Sequence, residues 1–152
     1  MRPKTEGCKI KIMTSEVRVS AMKRRSALEC IKRILRDIDK RRCINPMDYA
    51  DRNFVRRYNA AMDRIVENAH YLWDNYPDQR ELFLELVCSS DYIIAAHCAH
   101  VLYGMKDSAI EHKRLALAVV KKLVDHPEMP DISRFAMSLN IKQWEAELGG
   151  SS

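Results

Sequence analysis

FVRRYNAAMDRIVENAHYLWDNYP, residues 54–77, decides the fold. Phe54, Tyr58, Met62, Ile65, Ala69, Leu72 and Tyr76 follow one another at steps of 4, 4, 3, 4, 3 and 4 residues. That rhythm is close to the helical repeat of about 3.6, so these side chains line one face of an uninterrupted helix. No glycine or proline breaks the run before Pro77. Proline disfavours a helical residue in front of it, which ends the helix at Tyr76. Upstream, Asn45 followed by Pro46 reads as a start. The Asn side chain accepts from the free N–H groups of the first turn, and Pro at the first helical position has no N–H to leave unpaired. A helix is therefore expected from Pro46 to Tyr76, with Asp48 four residues ahead of Arg52 in the favourable ion-pair order.

Toward the N-terminus, Leu28, Ile31, Leu35 and Ile38 recur at spacings of 3, 4 and 3, an apolar stripe on a basic amphipathic helix over residues 21–43. The same four match an a/d seam for about two heptads, short of a coiled coil, so packing on the long helix is favoured over dimerisation. Residues 1–20 carry no helical period and are expected to be a flexible leader. Toward the C-terminus, shorter helices are expected at about 78–87 (Leu82, Phe83 and Leu86 inward) and 91–103 (Ile94, Ala95, Cys98 and Leu102 inward). Ser89, Ser90 and Asp91 supply the turn and cap between them. Ser108 and Glu111 have capping-box spacing and open a helix through Leu115, Ala116, Val119, Val120 and Leu123. Pro127 and Pro130 separate it from a last helix with Ile132, Phe135, Ala136 and Leu139 inward, then a short tail helix around Trp144 and Leu148. Residues 149–152 are expected as a flexible tail. The chain reads as a single all-α domain over 21–148, built of antiparallel helical hairpins with the long helix capping them.

Arg57-Tyr58-Asn59 followed by Met62-Asp63-Arg64, Asp78-Gln79-Arg80 with its leucines, Ser90-Asp91 before Ala95-Ala96, and Phe135-Ala136-Met137-Ser138-Leu139 carry a resemblance. Over residues 54–148 the chain resembles a small bacterial domain family of unknown function with a HEAT-like helical fold. The resemblance implies a HEAT-like right-handed stack across 46–148 and an interaction surface, with no established activity or catalytic residue. The basic helix lies outside it.

A 152-residue chain, 47% hydrophobic with four glycines, is long enough to bury roughly 70% of its unfolded surface around one core. The most apolar region, residues 86–99, is broken by Cys88, Ser89, Ser90, Asp91 and His97, so no membrane span is expected. Lys9, Lys11, Glu16 and Arg18 occupy the place of a signal peptide's apolar region, which points to a cytoplasmic protein. Five cysteines without a CxxC pair suit neither a disulfide framework nor a zinc cage; Cys30, Cys88 and Cys98 are expected to be buried thiols. Charge is divided. Residues 1–64 carry 18 Lys and Arg against 8 Asp and Glu, a net +10, and residues 65–152 carry a net −5.

Catalytic signatures are absent. No glycine-rich phosphate loop or nucleophile elbow occurs, and no cofactor is implied. His97 and His100, around Cys98, invite a metal or enzymatic reading. Their spacing of three departs from the four of HExxH, and no carboxylate completes a ligand set. Cys98 sits on the apolar stripe, where a thiol is inert. The basic residues Lys23, Arg24, Arg25, Lys32, Arg33, Arg36, Lys40, Arg41 and Arg42, continued by Arg52, Arg56 and Arg57, make a stripe able to neutralise phosphates without reading bases. Tyr71 and Trp73, off the main stripe of the long helix, belong to the residue types that anchor protein interfaces. The reading is a non-catalytic interaction module for another protein, with candidate contacts Lys32, Arg33, Arg36, Lys40, Arg41, Arg42, Arg56, Arg57, Tyr71 and Trp73. A sequence-independent nucleic-acid contact through the basic helix is the alternative, and an enzyme or metal protein centred on His97 and His100 comes third.

Overall fold

The structure, a computed structural model, describes residues 25–42 and 46–149. Within them the chain is all-α: α1 (Ala27–Arg42), a 3-10 turn (Pro46–Ala50), α2 (Arg52–Asn75), a second 3-10 turn (Pro77–Gln79), α3 (Glu81–Val87), α4 (Tyr92–Gly104), α5 (Ile110–Leu123) and α6 (Asp131–Gly149). The leader falls outside the described residues.

The basic helix starts at Ala27, later than the periodicity suggested. Ser26 Oγ accepts the Glu29 backbone N–H at 3.0 Å, and Ser26 with Glu29 has the spacing of a capping box. Leu28 is 55% exposed, while Ile34 is fully buried with Cys30, Ile31 and Ile38. α2 begins after Asp51, whose carboxylate accepts the Asn53 N–H at 2.8 Å. The start signal at Asn45-Pro46 instead opens a 3-10 turn, so Asp48 and Arg52 do not share one helix. Ile65, Ala69 and Leu72 are buried as expected, with Phe54, Tyr58 and Met62 half-buried.

α1 and α2 run antiparallel. The Arg25 guanidinium donates to Asn68 Oδ1 and lies 5.0 Å from the Tyr71 ring at one end; Arg41 meets Tyr58 at the other. α4 and α5 are antiparallel too: Tyr92 stacks on His126, and Lys113 Nζ donates to the Tyr103 carbonyl. α3 and α4 are joined through Asp91, which caps α4 by accepting from the N–H groups of Ile93 and Ile94. The expected cap of α5 is not formed: Ser108 is buried and donates to the Met105 carbonyl, leaving Ala109 at the cap position. Trp73, Phe83, Val87, Leu102, Ala116 and Val120 fill the middle of one continuous core.

The C-terminal residues depart most from expectation. α6 is one helix through Gly149. It packs inward through Met137, Ile141, Trp144 and Leu148, with Trp144 stacked at 3.9 Å on Tyr103, whose hydroxyl donates to Glu147. Ile132, Phe135, Ala136 and Leu139, expected in the core, are exposed. Met137 and Trp144 are two turns apart, and Ile132, Phe135 and Leu139 fall on the opposite side of the cylinder. α6 thus carries an apolar stripe on each of two faces.

Candidate interaction surfaces

The basic stripe divides into structural and free cations. Arg41 turns inward: its guanidinium lies 3.8 Å from the centre of the Tyr58 ring, and it donates to the Tyr58 carbonyl and to His97 Nε2, each at 3.2 Å. Arg42 pairs with Asp91 at 2.9 Å and Asp39 at 3.2 Å, tying the end of α1 to the cap of α4. Burial alone would raise the Asp91 pKa, but the capping N–H groups and Arg42 outweigh it and hold the carboxyl below its ordinary range. Arg41 and Arg42 are accordingly fold-holding side chains. Lys32, Arg36, Lys40, Arg56 and Arg57 are exposed, and Arg33 is half-buried beside Glu29 at 3.9 Å.

One contact bears on how the remaining cations are grouped. Asp37, 1% exposed, accepts from Arg64 Nε and Nη2 at 3.1 and 2.9 Å, with Lys40 Nζ at 3.7 Å; its second oxygen has no hydrogen-bond donor among the described residues. Arg33, Asp37 and Lys40 lie at i, i+4 and i+7 on α1, and Arg57 lies two turns before Arg64 on α2. The seam between the two helices is therefore bordered by Arg33 and Lys40 on one side and Arg57 and Arg64 on the other, while Arg36 points to solvent on α1. Neither Asp37 nor Arg64 is among the contacts expected from sequence. The (i, i+3) acid–base pair of Asp37 and Lys40 inside an apolar stripe was the available signal.

Tyr71 is half-buried under Arg25. Trp73, expected as an interface anchor, is 1% exposed and serves the core: it meets Phe83 and His112 edge-on, and Arg80 lies 4.6 Å from its ring centre and donates to its carbonyl. A cleft of about 390 Å³ opens beside it, lined by His70, Asp74, Gly104, Lys106 and Asp107. Its mixed charges single out no chemistry.

His97 and His100 are both half-buried, and each bonds a carbonyl one turn earlier through Nδ1, His97 to Ile93 and His100 to Ala96. A carbonyl only accepts, so both Nδ1 atoms carry the proton. Arg41 only donates, so His97 Nε2 spends its lone pair on it. Burial lowers the pKa of both rings, with the cations Arg41 and Arg42 adding to the effect at His97. His100 stacks edge-on against Trp144. Cys98 between them is buried, which pushes its thiol up to about 12. Among the described residues no group of three His, Cys, Asp or Glu side chains is arranged to hold a metal. Cys30 is buried as expected; Cys88 is exposed, contrary to expectation.

The outer face of α6 is the stripe that sequence periodicity assigns to the core. Ile132 is 81%, Phe135 66% and Leu139 54% exposed. Two turns of helix present three large apolar side chains to solvent, a contiguous patch of the kind that marks interaction sites. The signal was there: Met137, Ile141, Trp144 and Leu148 repeat at 4, 3 and 4, a second stripe that one buried face cannot share with the first.

No family model, curated protein or solved structure matches this chain. Among the described residues no helix is long and apolar enough to cross a membrane.

Proposed function

We propose that this chain is a non-catalytic, cytoplasmic protein-interaction module with HEAT-like stacking of its helices, and that it docks an amphipathic helix of a protein partner on the outer face of α6. One observation carries the reading: Ile132, Phe135 and Leu139 are exposed at i, i+3 and i+7, while the opposite side of the same helix is already buried. A helix apolar on two faces is an interior element of a larger assembly. The chemistry of the partner follows from the spacing, since a helix laid along α6 would offer its own i, i+3, i+4 and i+7 anchors to this stripe. The arrangement of His97, Cys98 and His100, committed to carbonyls, Arg41 and the core, supports the non-catalytic part. The test uses wild type and Phe135→Asp as baits in extract of the source organism, after circular dichroism shows both folded. A protein retained by wild type and lost from the variant is the expected result. The same proteins on both baits overturn the reading.

A second reading rests on the α1–α2 seam, where Arg33, Lys40, Arg57 and Arg64 gather, with exposed Arg36 on the same helix, and where Glu29 and Asp37 are the acids paired with them among the described residues. Such a seam suits sequence-independent contact with nucleic-acid phosphates. Fluorescence anisotropy with a single-stranded oligonucleotide should then show affinity falling steeply with salt, and replacing Arg33, Arg36, Lys40 and Arg57 by Gln should abolish it. Arg41 and Arg42 are left intact because they hold the fold. Unchanged affinity in that variant removes the seam from consideration.

A further inference from the structure

The chemistry of the α6 stripe identifies one partner more closely. We infer that the outer face of α6 pairs with the same face of a second copy of this chain, antiparallel and about a two-fold axis near Phe135 and Ala136; this rests on the reading of α6 as a docking face.

Three features of α6 point that way. First, the stripe is its own complement. The register that sets Ile132 of one copy against Leu139 of the other brings the two Phe135 side chains beside each other at the axis, so Ile132 and Leu139 find their counterparts twice and Phe135 meets itself, as an isologous interface requires. Second, the charges at the two ends of the stripe have opposite sign. Glu128 and Asp131 precede it and Lys142 follows it; all three are exposed, and none is in an ion pair among the described residues. The antiparallel register brings Asp131, in the first turn of α6, toward Lys142 of the other copy, with Glu128 in the preceding turn adding negative charge at the same end. A parallel pairing would set Lys142 against Lys142 and the acids against acids, and like-charge juxtaposition suppresses that arrangement. Third, antiparallel helices place opposite ends of their dipoles side by side. Three apolar side chains over two turns fall short of the roughly 800 Å² that each partner contributes to a standard stable interface. The dimer is therefore weak and concentration-dependent.

Sedimentation equilibrium on the full chain from about 1 µM to about 1 mM, a range that brackets weak association, tests it. Wild type is expected to pass from monomer to dimer. Phe135→Asp should remain monomeric with an unchanged circular dichroism spectrum. Lys142→Glu should weaken the dimer about tenfold, because two attractive ion pairs across the axis become two repulsive acid–acid pairs. Adding Asp131→Lys to Lys142→Glu should restore it. A wild-type chain that stays monomeric across the range overturns the inference, and so does a dimer that Phe135→Asp leaves intact or that the charge swap fails to restore. Monomeric wild type together with a heterologous protein lost on Phe135→Asp would refute the self-pairing alone. Insensitivity of every association to Phe135→Asp would refute the docking face itself.

Discussion

Replacing Arg64 by Met isolates the energetics of the buried carboxylate at the α1–α2 seam. Asp37 is 1% exposed and takes two hydrogen bonds from Arg64 on one oxygen; Lys40 approaches at 3.7 Å, and the other oxygen has no donor among the described residues. Methionine keeps the apolar stem of Arg64 and removes its charge and both bonds. Stripping the partner from a fully buried ion pair costs about 3–5 kcal/mol. The Arg64 side chain is 44% exposed, so water reaches the vacated position, and the expected loss is about 2 kcal/mol, in the range for charge-assisted hydrogen bonds. For a domain of this size that lowers Tm by about 6 °C. Asp37→Leu should cost far less, or stabilise, because it also removes an oxygen that has no donor and frees Arg64 to turn to solvent. The Asp37→Leu/Arg64→Met double variant should be no less stable than Asp37→Leu alone. Urea titrations of the three variants and wild type close the cycle. Arg64→Met costing under about 0.5 kcal/mol, the scatter of ordinary surface changes, or Asp37→Leu costing more than Arg64→Met, would refute the reasoning.

Thiol accessibility should separate the cysteines: peptide mapping after brief iodoacetamide treatment of native protein is expected to find Cys88 alkylated and Cys30 and Cys98 untouched until denaturant is added. Early modification of Cys98 would contradict its burial. Acid should destabilise the fold through His97 and His100. Their folded pKa values lie below the unfolded ones, so the unfolded chain binds more protons. The stabilisation is complete above about pH 6.5 and is lost as pH falls toward the folded values. Tm should drop between pH 7.5 and pH 5.5, and His97→Gln/His100→Gln should flatten that profile; an equally steep profile in the variant would assign the effect to other groups.

Much of the architecture was legible in residues 54–77, because a long unbroken 3.6-residue rhythm admits one reading. The ends of elements were less so. Asn45-Pro46 and Asp51 both look like caps, and the local competition between a 3-10 turn and an α-helix decided for Asp51. Ser108 and Glu111 have capping-box spacing, yet Ser108 is drawn into the core to bond the Met105 carbonyl. In α1, Leu28 and Ile34 are equally apolar, and only the position of α2 and α4 around the helix buries one and exposes the other. The candidate surfaces were legible as residue types and not as partners. Arg41 and Arg42 looked like their neighbours Lys40 and Arg36 until Tyr58, His97 and Asp91 arrived from distant segments to claim them. Trp73 looked like an anchor because its place on the wheel, beside the main stripe, is covered by Phe83 and Arg80 from the following turn. α6 misled for a different reason. Periodicity identifies an apolar face and leaves open what covers it.

Whether the outer stripe of α6 serves an interface, as proposed, or the chain's own core can be read from stability. The most direct measurement is the unfolding free energy of the Ile132→Gln/Phe135→Gln/Leu139→Gln variant against wild type, in urea, at concentrations low enough for both to be monomeric. Gln forms helix at least as well as the residues it replaces, so burial alone sets the outcome. Agreement within about 0.5 kcal/mol is expected. A loss of several kcal/mol, as truncating even one buried Ile, Leu or Phe produces at about 2–5 kcal/mol, would contradict it by placing that stripe inside the folded monomer.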